Sequence, residues 1–196
     1  MDTIKGRRPS KDELQSFQGA KVDDLLADPL RLLFVGINPG LWTAAVNAHF
    51  ARPGNRFWPA LHRAGITEHV VDVSTGLPND ARAELAAVGI GISNIVPIAT
   101  ARAAELTAAE IRAGGEHLRQ LVRDHQPAVV AVLGVTAYRQ AFGNPKIGIG
   151  RSDKAFEGAE LWVLPNPSGL NAHETVETLA DWYGQAAEAA GIPRHK

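Results

Sequence analysis

The chain has 196 residues, 45% of them hydrophobic and 21% charged, a balance that fits one globular domain with a substantial core. No apolar run approaches the roughly 18 residues that a membrane span needs. The absence of cysteine excludes disulfide frameworks, thiol nucleophiles and Cys-ligated zinc or iron–sulfur clusters. A net charge of -1 is not that of a protein that coats nucleic acid, so any DNA contact must use clustered basic residues.

Residues 1–27 are mostly polar and read as an N-terminal arm, with Ser10 and Glu13 in capping-box spacing ahead of a short helix. The start lacks the apolar segment of a secretory signal, and the expected location is cytoplasmic. Residues 28–196 read as a single domain. Leu32 to Val35, ending at Gly36, reads as a buried strand followed by a glycine- and proline-bearing loop. Phe57, Trp58, Leu61 and Ala64 fall at helical spacing and Gly65 closes that segment. Gly89 to Val96 is a second strand, and Thr107 with Glu110 opens a helix that turns Ile111, Leu118, Leu121 and Val122 inward. Ala128 to Leu133 reads as a third strand, Val135 to Phe142 as a helix, Leu161 to Leu164 as a fourth strand and Thr175 to Ala190 as a terminal helix. Buried β-branched runs alternating with amphipathic helices predict an α/β fold, a three-layer sandwich with a central, largely parallel β-sheet flanked by helices.

Ligands of open parallel sheets bind at the carboxyl ends of the strands. Two loops of unusual polarity stand there, Gly36-Ile37-Asn38-Pro39-Gly40 and Asn166-Pro167-Ser168-Gly169-Leu170-Asn171. Asn38 is a neutral amide, able to hold a water but not to act as a strong base. A held water suffices as a nucleophile where the bond that breaks has a good leaving group. Asn38 also has a plain reading as the residue that sets the turn before Pro39. Basic residues cluster at Lys5, Arg7, Arg8 and Lys11, at Arg52, Arg56, His62 and Arg63, and at Lys146, Arg151 and Lys154. For any one cluster, solvated surface charge is the better reading.

Four segments in order, Gly36 to Gly40, Pro53 to Trp58, Gly91 to Val96 ending at Thr100, and Leu164 to Leu170, resemble the mismatch-specific uracil and thymine DNA glycosylase family. The resemblance covers roughly residues 31 to 185. It implies that Asn38 and Thr100 hold the nucleophilic water, and that Ile37, Gly40, His49, Phe50, Asn94 and Asn166 bind the extruded base. In that assignment Phe50 stacks on the base, Asn94 contacts it, and His49 donates to a pyrimidine carbonyl or to the water. Gly40 leaves room for a substituent at pyrimidine C5, which favours enlarged lesions such as ethenocytosine or 5-substituted uracils beside uracil itself. Leu170 is the implied wedge that enters the vacated stack, with Ser168 and Gly169 on phosphate and Asn171 on the widowed base. Pro97, Ile98 and Ala99 depart from the family's pattern and predict a more apolar pocket wall, and Ala172 stands where many relatives have a basic residue.

The expected activity is that of a monofunctional DNA glycosylase in base excision repair, acting as a monomer on double-stranded DNA with a mismatched or damaged pyrimidine, with no membrane partner, no metal and no cofactor. No lysine stands in the four segments, which disfavours Schiff-base strand cleavage. Alternatives are a catalytically silent mismatch-binding protein of the same fold, a phosphate-binding module and a serine hydrolase. Gly36 to Gly40 fits neither common phosphate-loop pattern, and Ser168 with His173 lacks the nucleophile elbow.

Overall fold

The four apolar runs form parallel strands, Leu32–Gly36 (β1), Ile90–Asn94 (β2), Val129–Leu133 (β3) and Glu160–Leu164 (β5), and the two-residue Gly150–Arg151 (β4) is added antiparallel at one edge. The computed structural model describes residues 3, 4 and 6–195; Met1, Asp2, Lys5 and Lys196 lie outside the described residues, including the Lys5 member of the first basic cluster. The sheet order is β2-β1-β3-β5-β4. Chain order therefore reverses at β1 and β3, and a crevice opens beyond their carboxyl ends.

Alternation along the strands divides the core. Leu32, Phe34, Ile90, Ile92, Ala131 and Leu133 face one layer of helices, Phe57–Arg63 (α3), Asn79–Val88 (α4) and Val176–Ala189 (α7). Leu33, Val35, Val130, Val132, Leu161 and Val163 face the other, Ala108–His125 (α5) and Val135–Phe142 (α6). Strands buried on both faces need apolar residues at every position, so they read as continuous runs rather than as alternation. The three-layer α/β sandwich expected from the sequence is the architecture observed. Among the described residues no helix is long and apolar enough to cross a membrane.

Both expected capping boxes are formed, Ser10 with Glu13 at Lys11–Gln15 (α1) and Thr107 with Glu110 at α5. Helix α5 packs closely because Gly114 and Gly115 lack side chains: a methyl on Gly114 would collide with the Ile95 carbonyl, and one on Gly115 would stand 2.9 Å from that of Ala141. Four elements go beyond the sequence reading, one of them the single 3-10 turn at Ala103–Glu105. Leu41–Val46 (α2) lies within the expected loop and starts at Gly40 with no side-chain cap. Helix α4 follows Pro78, also without a side-chain cap, and only Ala81 and Leu85 are buried. Strand β4 is too short for any periodicity to register.

The segment read as an arm is, from Phe17 onward, part of the body. Phe17, Val22, Ala27 and Leu30 are buried. Leu25 exchanges two backbone hydrogen bonds with Ile92, at 2.9 and 2.7 Å, and Val22 and Gly19 donate to Pro97 and Ala99. This segment covers the free edge of β2, which would otherwise be open to pairing with another chain.

Candidate functional site

Beyond the ends of β1, β2 and β3 lies a cavity of about 360 Å³, within the roughly 300–1,000 Å³ range of small-ligand sites. Ile37, Asn38, Gly40, His49, Phe50, Asn94, Thr100, Asn166, Ser168 and Leu170 all line it. Residues far apart in sequence therefore meet at one crevice. Gly169 and Asn171 stand on the same loop as Ser168 and Leu170 but do not line the cavity.

Asn38 leaves β1 with its amide nitrogen fully engaged: Nδ2 donates to Thr100 Oγ1 at 2.8 Å and to the Ile98 and Pro39 carbonyls at 3.1 Å each. An amide so held has only its carbonyl oxygen left to accept a hydrogen bond from a water. Thr100 is buried and spends its own hydroxyl proton on the Arg102 carbonyl at 2.9 Å. Its geometry is that of a group that orients Asn38. Two backbone bonds, Ile95 N–H to the Gly36 carbonyl and Val96 N–H to that of Ile37, lock the end of β1 to the segment leading to Thr100.

Asn94 ends β2 directly beside Gly36, its partner in the β1 register. A methyl on Gly36 would stand 2.5 Å from Asn94 Oδ1 and 3.2 Å from the Phe50 ring, so glycine there makes room for both cavity groups. Asn94 Nδ2 donates to His49 Nδ1 at 3.2 Å, while His49 Nε2 lies 3.0 Å from the Asp23 carbonyl. A carbonyl only accepts, so Nε2 carries the proton and Nδ1 is the acceptor that faces the amide. Burial lowers the pKa of His49 and favours this neutral form, opposed by the hydrogen bond to Asp23 and the charge of Asp24. The one ring proton of His49 is directed to Asp23 and its other nitrogen to Asn94, while His49 still lines the cavity. The amide is thereby oriented with Oδ1 beside Gly36.

Phe50 adopts a left-handed backbone, φ 57°, uncommon for a bulky residue. It stacks on Phe57 with centroids 4.1 Å apart, and Trp58 Nε1 donates to the His49 carbonyl at 2.9 Å. The motif that carries Phe57 and Trp58 thus fixes the turn that presents His49 and Phe50. Gly40, with nothing within 4 Å of the position a methyl would take, leaves open space at the cavity wall.

Leu170 is 78% exposed at the tip of its loop. Around it Asn166 Oδ1 accepts from Ser168 N–H at 2.9 Å, Asn171 Nδ2 donates to the Asn166 carbonyl at 3.0 Å, and Asn171 Oδ1 accepts from His173 N–H at 3.2 Å. In the free protein the Asn171 amide is turned into the loop. Pro97, Ile98 and Ala99 do not line the cavity; Ala99 is fully buried, and Pro97 and Ala99 accept hydrogen bonds from the N-terminal segment. The pocket wall is therefore not made apolar by their side chains.

The basic clusters divide. Arg7 pairs with Glu13, and Arg151 with Glu160 at 2.8 Å. His62 and Arg63 border a separate depression with Glu68, Glu177 and Asp181, whereas Arg52 stands at the mouth of the cavity. Arg102 and the carbonyl of Asp23 are participants that sequence reasoning missed. Nothing in local sequence marks a backbone carbonyl 26 residues from the histidine it holds. Among the described residues no group of three or more His, Asp or Glu side chains is placed to hold a metal ion.

Residues 24–187 match the family model of the uracil DNA glycosylase superfamily. The fold is similar to the solution NMR structure of a candidate uracil DNA glycosylase from Methanosarcina acetivorans, with a TM-score of 0.60 and 15% identity, covering 88% of this chain and 98% of that one.

Proposed function

Because the chain belongs to the uracil DNA glycosylase superfamily, whose members are N-glycosylase hydrolases, we propose that it is a monofunctional, mismatch-specific glycosylase that extrudes uracil or an enlarged relative from duplex DNA. The observation that carries this reading is the pair of oriented amides in one cavity. Asn38 has its nitrogen tied to Thr100, which leaves its oxygen to accept from a water, and Asn94 is fixed by His49 with Oδ1 beside Gly36, a donor-acceptor pair that suits a pyrimidine edge.

The reaction asks for little proton chemistry. The water oxygen bonds to C1′ as the C1′–N1 bond breaks, and the bonding electron pair leaves with N1 of the pyrimidine. One water proton goes to solvent or to the departing anion, leaving an abasic sugar. Asn38 supplies orientation rather than general-base strength, so the rate depends on the stability of the leaving anion. Asn94 Oδ1 accepts from N3–H of uracil, the second Nδ2 proton meets O4, and Phe50 stacks on the ring. The open wall at Gly40 admits a C5 substituent or a fused ring. Leu170 fills the gap left in the stack, and the lower cost of opening a mispair makes uracil opposite G a better substrate than uracil opposite A.

The test is cleavage of labelled duplexes with one uracil opposite G or A, with EDTA present and alkali applied to the product. Alkali-dependent breaks that favour G·U and are lost in Asn38→Ala, with binding of the mismatch retained, are expected. Binding without breaks by the unaltered protein would instead make the chain a mismatch-binding protein.

A further inference from the structure

The guanidinium of the half-buried Arg56 reaches into the loop that carries Leu170. Its Nη1 donates to the Ser168 carbonyl at 3.2 Å and to that of Asn171 at 2.9 Å, and its Nη2 reaches the Gly169 carbonyl at 3.4 Å. The backbone of the same residue donates to Pro167 at 2.9 Å. A methyl on Gly169 would stand 2.5 Å from the Gly54 carbonyl, so the two loops are in direct contact. Among the described residues no carboxylate pairs with Arg56. One planar cation therefore gathers three carbonyls of a five-residue loop, a task for which a fork of donors is suited and a single ammonium is not.

We propose that Arg56 is a positioning residue for strand separation: it clamps the loop from Pro167 to Asn171 in the form that projects Leu170 from the surface. The inference rests on the reading of Leu170 as the wedge. A wedge does work on the base stack only if its backbone resists being pushed back. A free loop would fold Leu170 onto the nearest apolar surface, and its ordering would be charged against each encounter with DNA. Arg56 supplies that resistance through contacts made before DNA arrives.

Two measurements separate the outcomes. Hydrogen exchange on the free protein reads the clamp itself: in Arg56→Lys, which keeps the charge, the Gly169, Leu170 and Asn171 amides exchange faster while those of α3 are unchanged. Faster exchange spread through α3 and β1 would assign the side chain to general stability and overturn the proposal. Cleavage of a G·U duplex then reads the consequence through a double-mutant cycle. Arg56→Lys and Leu170→Ala each lower kcat/KM by about tenfold, and the double variant is no slower than the slower single one, because both act on one step. Losses that multiply, or Arg56→Lys acting like the unaltered protein while Arg56→Ala fails, would show that Arg56 serves through charge and overturn the clamp. A normal rate for Leu170→Ala would strike the wedge reading instead, and the exchange result would stand apart from it.

Discussion

His49 Nδ1 lies 3.2 Å from Asn94 Nδ2, with its other ring nitrogen 3.0 Å from the Asp23 carbonyl, so the protonation state of one buried ring sets which way the cavity amide faces. A proton added at Nδ1 would place donor against donor and turn the amide away from the base.

This arrangement predicts an acid limb. The pKa of His49 is lowered by burial, whereas the unfolded chain protonates it near 6.5. Between these values the unfolded state binds more protons, so the stability due to the neutral ring is complete above about pH 6.5 and is lost as pH falls toward the depressed value. Urea unfolding from pH 7.5 to 5 should show the stability difference between the parent protein and His49→Gln narrowing with acid. The rate of cleavage by the folded protein should fall only at lower pH, as the ring is protonated at its depressed value. A constant stability difference would mean that the ring titrates in the fold as it does in the unfolded chain.

Gly36 and Gly40 predict opposite consequences of the same substitution. Gly40→Ala meets open space and should leave the melting temperature almost unchanged, within about 0.5 kcal/mol. It should lower cleavage of ethenocytosine and 5-substituted uracils relative to uracil by about tenfold. Gly36→Ala presses on Asn94 and Phe50 and should cost both stability and activity on every substrate. Equal effects of Gly40→Ala on all substrates would remove the open wall from the account of specificity.

Arg52 is exposed at the mouth of the cavity beside Leu170, and no carboxylate pairs with it among the described residues. As a phosphate contact, its replacement by Ala should weaken binding of matched and mismatched duplexes alike and reduce the slope of log affinity against log salt by about one. Arg151, held by Glu160 at the β4 edge, should give no change when replaced. An unaltered salt slope in Arg52→Ala would place the phosphate track elsewhere.

Tyr183 is fully buried against Phe34 and Phe57, and its hydroxyl has no hydrogen-bond partner among the described residues. A buried hydroxyl without a partner carries its desolvation cost, so Tyr183→Phe should raise stability by about 1–2 kcal/mol with cleavage unchanged. A loss of stability in that variant would reveal a partner for the hydroxyl in solution.

The sequence by itself determined the layers of this protein. Strands buried on both faces must be apolar throughout, capping boxes are local, and the two polar loops follow strands that any parallel sheet would align, so β1, β2, β3, β5, α5 and the neighbourhood of Asn38 and Leu170 were all legible. Helix α4 was missed because its apolar face is only two residues wide, and β4 because two residues carry no period. What only the tertiary structure decided is the direction of each polar group. That His49 holds Asn94, that Asn171 turns into its own loop, and that Arg56 grips carbonyls 112 to 115 residues away depend on which donors and acceptors the folded chain brings within about 3 Å. Sequence spacing has no access to those distances, because a hydrogen bond is made by atoms that only the completed fold places side by side.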